Sequence, residues 1–320
     1  MQVVAVTGIT GKSGQFLLRR IMSEASRLNK YKFILICRKR DDDSKNTEGY
    51  KLVEQAVNSK NLRVEVVETN LENPTEIELL FSENQISMLL HIASVKLSGN
   101  IVPIALKNGV NNFILVHTTG IYSKYKAAGA EYRQIEADIY ALVKKYRDIG
   151  REIAVTILRP TMIYGDLNDK NISVFIKMVD KLRLFPVING ARYDLQPVWC
   201  KDLGDAYFDV LVNWKITKDK EYILSGGTPI QLREMFEVMA KQLGVKNIFV
   251  SCPYPVAYTG AWFVYCLSLK KIDFREKVQR MVEPRAYGHE DATKDFGYKP
   301  ADFELGIKDE IQMYKRSKGK

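Results

Sequence analysis

Apolar and polar positions follow two rhythms along the first half of the chain. Short apolar runs at 2–6, 32–37, 63–67, 87–92, 112–117 and 154–158 read as buried strands. Stretches with helical spacing lie between them at 13–28, 48–58, 74–82, 99–108 and 130–148. In the first of these, Phe16, Leu17, Leu18, Ile21 and Met22 share one side. Asn73-Pro74, followed by Glu76 and Glu78, marks a helix start, and Gly150 marks a helix end. Such alternation predicts βαβ units with right-handed crossovers and a parallel sheet. The second half is less regular. Phe185-Pro186, Asn189-Gly190 and Gly226-Gly227 read as turns, and Tyr222-Ile223-Leu224 as one more strand. Residues 230–243 read as a helix whose stripe of Leu232, Met235, Phe236, Met239 and Leu243 belongs to a core. No repeat or low-complexity linker divides the chain. The predicted fold is α/β: a doubly wound parallel sheet over 1–166, with strands returning near 195–225, and a smaller C-terminal lobe from 167–194 and 226–320.

The turn after the first strand adds chemistry. Residues 7–14 read Thr-Gly-Ile-Thr-Gly-Lys-Ser-Gly, between Val3-Val4-Ala5-Val6 and the first helix. Gly8 permits a tight turn, Gly11 lets backbone approach a pyrophosphate, and Gly14 lets the helix pack on its strand. Amides at the helix start and the helix dipole favour phosphate there. The turn therefore marks a Rossmann dinucleotide site, with Thr7, Gly8, Thr10, Gly11, Lys12, Ser13 and Gly14 as candidate cofactor contacts. The second strand, Phe33-Ile34-Leu35-Ile36-Cys37, ends in Arg38-Lys39-Arg40. Cations at that place suit a 2′-phosphate, which favours NADP over NAD; the alternative is a ribose held by Asp41, Asp42 or Asp43.

Composition narrows the class. A chain of 320 residues buries a large core, and 27% charged residues is ordinary for a globular protein. The first strand begins at once, with no basic leader before it, so a cytoplasmic protein is expected. Cys37, Cys200, Cys252 and Cys266 lack metal or CxxC spacing and read as free thiols. His91, His117 and His289 are scattered, and no metal site is expected. The net charge of +10 is spread over Arg19-Arg20, Lys144-Lys145, Lys270-Lys271 and the tail 315–320. No nucleic-acid-binding signature accompanies it, so the expected partner is a small anionic molecule.

Five ordered segments resemble the extended short-chain dehydrogenase/reductases, the NAD-dependent epimerase/dehydratase type. They are the glycine turn, Leu90-His91-Ile92-Ala93, Thr118-Thr119-Gly120-Ile121-Tyr122, Arg159-Pro160-Thr161-Met162-Ile163-Tyr164-Gly165, and the element at 292–300 with Asp295-Phe296-Gly297-Tyr298. Lys201-Asp202-Leu203 falls where that family's second lobe returns. The resemblance implies that Ala93, Pro160 and Thr161 lie beside the cofactor. It implies a Ser/Thr–Tyr–Lys unit in which Thr118 binds the substrate oxygen and Tyr132 moves the proton. The family lysine, four residues on, is here Glu136. One helical turn from Tyr132, this carboxylate is expected to face ribose hydroxyls and to oppose the phenolate that a lysine would favour. Lys124 or Lys126, on the loop before the helix, is the candidate cation if a nearby charge replaces the lysine, as the less favoured reading, and Glu136→Lys is expected to improve proton transfer if Tyr132 faces the nicotinamide.

The implied function is an NAD(P)-dependent oxidoreductase, epimerase or dehydratase acting on a carbonyl or sugar-like substrate, including nucleotide sugars. The alternative is a non-catalytic NADP-binding sensor of the same fold. Helices 99–108 and 130–148 suit a homodimer. The aromatic segment 253–269, followed by Lys270-Lys271, is short for a membrane span and reads first as a lobe helix shaping an apolar pocket. Peripheral membrane contact is the less favoured reading.

Overall fold

The computed structural model describes residues 1–39, 47–125, 127–169 and 171–319. Arg40, Asp41, Asp42, Asp43, Lys126 and Lys320 lie outside the described residues. The first half runs β1 (Gln2–Thr7), α1 (Lys12–Ser23), β2 (Tyr31–Cys37), α2 (Glu48–Val57), β3 (Val64–Glu68), α3 (Pro74–Glu83), β4 (Met88–His91), α4 (Val95–Lys107), β5 (Asn112–Val116), α5 (Gly129–Asp148) and β6 (Ala154–Pro160). The chain continues through β7 (Ile163–Tyr164), α6 (Ile172–Lys181), β8 (Leu184–Ile188), β9 (Asp194–Leu195), β10 (Val198–Trp199), α7 (Cys200–Val212), α8 (Trp214–Thr217) and β11 (Glu221–Leu224). It ends with β12 (Ile230–Gln231), α9 (Leu232–Leu243), β13 (Ile248–Cys252), α10 (Tyr254–Leu267), α11 (Arg275–Met281), α12 (Glu290–Phe296) and α13 (Phe303–Ser317).

Seven parallel strands form one sheet in the order β3-β2-β1-β4-β5-β6-β11. The inner strands are apolar on both faces because helices cover both, whereas the edge strand β3 carries exposed Glu65 and Glu68. On one face Leu17, Leu18 and Ile21 of α1 pack with Leu203, Tyr207 and Leu211 of α7. On the other, Ile101, Val102 and Ala105 of α4 meet Ile139 and Val143 of α5. A third core joins Ile172 and Ile176 of α6, Met235, Phe236 and Met239 of α9, and Ile307 and Ile311 of α13. Strand order reverses between β1 and β4, where Thr7 stands opposite His91. The crevice outside the strand ends at such a reversal is where this topology binds ligands.

Two helices differ from the sequence reading. The helix expected over 13–28 stops at Ser23 and continues as a tighter turn, Ala25–Leu28, which buries Ala25 and Leu28. The helix expected over 99–108 begins a turn earlier, at Val95, because Val95 and Ser98 extend its buried face.

Candidate functional site

Gly8, Ile9, Thr10 and Gly11 carry the chain from β1 into α1. Gly8 has φ +71°, and a Cβ there would lie 2.8 Å from the Ala93 amide. A Cβ on Gly14 would fall 2.3 Å from the Gly8 carbonyl oxygen, so the helix seats on the turn only because it is absent. Gly11 is different: the same carbonyl, at 3.2 Å, is its one neighbour within 4 Å among the described residues. Gly11 is also the N-cap of α1, with no side chain capping the helix amides. Thr7 ties the turn to β4 through its hydroxyl, 2.8 Å from His91 Nδ1 and accepting from the Ala93 N–H at 3.4 Å. Burial pushes His91 down to about 3, so its ring is neutral. The sequence reading passed over Gly49, whose Cβ would meet the Thr10 carbonyl oxygen at 2.5 Å and push α2 off the turn.

Two cavities flank this turn. One, of about 500 Å³, is lined by Gly8, Ser13, Ala93 and Asn70; the other, of about 790 Å³, by Lys12, Lys39, Glu48 and Asp166. Thr10, Gly11 and Arg38 border both. Arg38 is fixed through its carbonyl, which accepts from the Tyr50 hydroxyl at 2.9 Å. Lys39 instead stands 3.3 Å from Glu76, and Lys12 stands 3.4 Å from Glu48. The Asn70 N–H, and then Lys39, hold the Glu76 carboxyl below its ordinary range. An uncapped helix start beside Gly11, with a guanidinium at the end of β2, fits a dinucleotide phosphate chain.

A third cavity, of about 420 Å³, opens beyond the end of β5 and touches the second at Asn168. Thr118 and Thr161 line it, facing Gln196, Arg280, Arg285 and Tyr287 from the C-terminal half. Thr118 Oγ1 accepts from the Gly120 N–H at 3.0 Å, which leaves its own proton to donate. Thr161 donates to the Gln196 carbonyl, and the Pro160 carbonyl accepts from Thr119 at 3.2 Å. Arg285 reaches the cavity because its N–H bonds the Asp194 carbonyl at 2.8 Å, beside a bridge to Leu195. Buried Nε atoms of Arg280 and Arg285 have no hydrogen-bond partner among the described residues. Burial, and then the Arg280 charge, lower Arg285 to about 10. Sequence reasoning missed Arg280, Arg285, Gln196 and Tyr287; the hints were the place of Arg280, Arg285 and Tyr287 just before the 292–300 element and of Gln196 just before Lys201-Asp202-Leu203.

Tyr132 and Glu136 occupy the first turns of α5, and the two are not alike in their surroundings. Tyr132 is half-buried and does not line the cavity that holds Thr118. Glu136 is buried, with Oε1 2.8 Å from His117 Nδ1 and Oε2 2.7 Å from Arg159 Nη2. His117 Nε2 in turn lies 3.1 Å from the Ser98 hydroxyl. This corrects the expectation that Glu136 turns with Tyr132 toward a ribose. A guanidinium buried at the end of β6 claims the carboxylate, because an unpaired charge there is costly. Among the described residues a cation near Tyr132 is Lys96 of α4, whose pKa is raised first by Glu131, 2.7 Å away, and also by Tyr132; the expected Lys126 lies outside the described residues. Lys124 is held through its main chain, its N–H donating to Glu283 at 2.8 Å. Tyr122 is exposed, with its ring 5.7 Å from that of Tyr287.

No family model matches the sequence, and no curated protein is significantly similar to it. Solved structures are similar along nearly the whole chain. A UDP-glucose 4-epimerase from Thermotoga maritima, solved with UDP-glucose, has TM-score 0.67 and 16% identity over 99% of each chain. A dTDP-glucose 4,6-dehydratase from Streptomyces venezuelae, solved with NAD, has TM-score 0.68 and 15% identity over 99% of this chain and 98% of its own. The chain has the fold of the extended short-chain dehydrogenase/reductases. A UDP-glucuronic acid 4-epimerase from Bacillus cereus, solved with UDP-glucuronic acid and NAD, shows the same likeness: TM-score 0.68 and 14% identity, over 99% of this chain and 100% of its own. In this extended fold the glycine turn and the Thr118 cavity lie at the carboxyl ends of the parallel strands.

Proposed function

We propose that the chain binds a nicotinamide dinucleotide, NADP in preference to NAD, and acts as an oxidoreductase, epimerase or dehydratase on an anionic carbonyl or sugar-like molecule. The observation that carries this reading is the joining of two chemistries in one cleft. The glycine turn and Arg38 border one end, and Thr118, Arg280 and Arg285 border the other. The solved structures of similar fold hold NAD and nucleotide sugars, which supports the same division of the cleft. A bound nicotinamide would supply or accept hydride. Gly11 and the first amides of α1 hold its phosphates, and Arg38 holds the 2′-phosphate. Thr118 donates to the substrate oxygen. Arg280 and Arg285 orient an anionic group, since their buried Nε atoms gain partners when one binds.

Calorimetric titration tests the cofactor. NADP is expected to bind at least about tenfold tighter than NAD, from one charge-assisted phosphate contact. Arg38→Ala is expected to erase the difference, and equal affinities in the parent overturn the preference. One observation favours a second reading, a non-catalytic NADP-binding sensor: Tyr132 lies outside the Thr118 cavity and Glu136 is sealed in the core. Turnover of an anionic carbonyl compound, abolished in Thr118→Ala, excludes the sensor; tight NADP binding with no turnover of any such compound supports it.

A further inference from the structure

Helix α10 is apolar all round, and yet it lies on the surface. No residue from 253 to 269 carries a charge. A helix of that composition belongs in a core or against lipid. Here Ala261 is its one buried residue. The inward side, Tyr254, Tyr258 and Tyr265, faces α11, where Arg275 caps the Tyr265 ring at 3.9 Å. The outward side is a line of Val256, Phe263 and Leu267, at i, i+7 and i+11, flanked by Trp262 and Leu269. Phe263 is 59% exposed, Leu267 82% and Leu269 81%. None of the three site cavities is lined by α10.

The segment that follows supplies the charge. Residues 268–281 carry five basic and two acidic side chains. Asp273 is taken by Arg275 at 2.7 Å, and Glu276 lies 4.0 Å from Arg280. Lys270, Lys271 and Lys277 are exposed at the end of the apolar line. The order is therefore apolar stripe, then an excess of cations. At 14 residues α10 is about 21 Å long, short of a span, and no helix among the described residues is long and apolar enough to cross a membrane.

We propose that α10 and the basic segment after it form a membrane-docking face, with the helix lying in the plane of an anionic bilayer surface. The apolar stripe enters the headgroup–acyl boundary, and the lysines meet lipid phosphates. The charge decides against a second copy of the chain as the occupant. A two-fold contact with the helices parallel sets Lys270, Lys271 and Lys277 against the same cations of the other copy, and an antiparallel one sets Lys270 and Lys271 against the uncharged start of α10, so neither pairs them with an acid. The proposal rests on α10 and the exposed lysines, while Arg280 of the same segment belongs to the cleft, and it does not depend on which substrate the cleft takes.

Vesicle flotation of the full chain tests it. Vesicles of phosphatidylcholine alone and with phosphatidylglycerol serve as probes, with the NADP-induced rise in melting temperature as the control for folding. Binding is expected to the anionic vesicles, to fall with added salt, and to be lost in the Leu267→Asp/Leu269→Asp variant. Lys270→Ala and Lys271→Ala should each weaken it about fivefold. Emission of the parent should shift to the blue on binding, and Trp262→Phe should remove most of that shift. Absence of binding to anionic vesicles overturns the proposal, as does binding that the aspartate variant leaves unchanged. A stable dimer that the aspartate variant converts to monomer also overturns it, by showing that a second copy covers the stripe.

Discussion

At Glu136 a single residue reverses the argument made for it from spacing. One helical turn from Tyr132, it stands where the family resemblance places a lysine, and a lysine there looks like a repair. The structure puts Arg159 and His117 against its two oxygens instead. Glu136→Lys therefore sets an ammonium beside a buried guanidinium, and Glu136→Gln leaves that guanidinium with the exposed Glu221, 3.2 Å away, in place of its buried partner. Breaking such a pair costs about 3–5 kcal/mol, so both variants are expected to unfold at markedly lower denaturant, with no gain in turnover from the lysine. Urea titration checks this; a lysine variant as stable as the parent would show that the pair contributes little. Glu310 offers a second test at this scale. Its Oε2 accepts from the Gly165 N–H at 2.9 Å, and burial first, then the Asp169 carboxyl, push it up from 4.5 to about 9. A carboxyl raised in the folded state contributes stability that is whole below about 4.5 and lost as pH rises toward about 9. Unfolding free energy should thus fall across that window with a contribution of up to ~1.4 kcal/mol per pH unit, and Glu310→Gln should flatten the fall. An unchanged slope in the variant rules out Glu310 as its source.

Elements of the sheet were legible because the strands other than the edge strand β3 are buried apolar runs ended by turn chemistry, and β1 to β6 fall within two residues of the expected bounds. Helix α7 was not. Its sequence carries Gly204 at the centre, which reads as a breaker, with aspartates around it. The glycine is there because α1 passes close by: a Cβ on Gly204 would lie 2.4 Å from Phe16 Cβ and 2.6 Å from the Leu17 nitrogen. That is a tertiary reason, invisible to periodicity. Helices α6 and α13 escaped for a related reason, since their stripes are buried against each other and against α9, far apart in sequence. Gly204→Ala should cost about 1–3 kcal/mol through overpacking, against the helix-propensity gain. Gly260 of α10 has nothing within 4 Å of where a Cβ would stand among the described residues, so Gly260→Ala should stabilise by about 0.5–1 kcal/mol. Denaturant midpoints of the two variants should move in opposite directions; a stabilised Gly204→Ala would show that the helices part freely.

Across the whole molecule the cleft divides into a half written locally and a half assembled from afar. The glycine turn was legible because strand, turn and helix are contiguous. Arg280, Arg285 and Tyr287 were not, because the short helix α11 and the irregular backbone after it carry them to Thr118, held by the Arg285 N–H donating to the Asp194 carbonyl and the Tyr287 N–H donating to Gln196 Oε1 at 3.0 Å. Such a division predicts separable losses. A Cβ on Gly11 would meet the Gly8 carbonyl oxygen alone among the described residues, at 3.2 Å, so Gly11→Val should keep the fold with a small shift of that carbonyl while blocking the phosphate approach. Ligand at 100 times its dissociation constant stabilises a folded protein by ~2.7 kcal/mol, which raises the melting temperature of a chain of 320 residues by about 4 °C. That rise with NADP should vanish in Gly11→Val and persist in Arg285→Ala. Stabilisation by an anionic substrate analogue such as a nucleoside diphosphate sugar should show the reverse: kept in Gly11→Val and lost in Arg285→Ala. Thermal melting of parent and variants with each ligand decides it. Loss of both responses in either variant would mean that the two ends of the cleft form one coupled site, with the loop carrying Asp166, Asn168 and Asp169 joining them; retention of the NADP response in Gly11→Val would mean that the glycine turn serves packing alone.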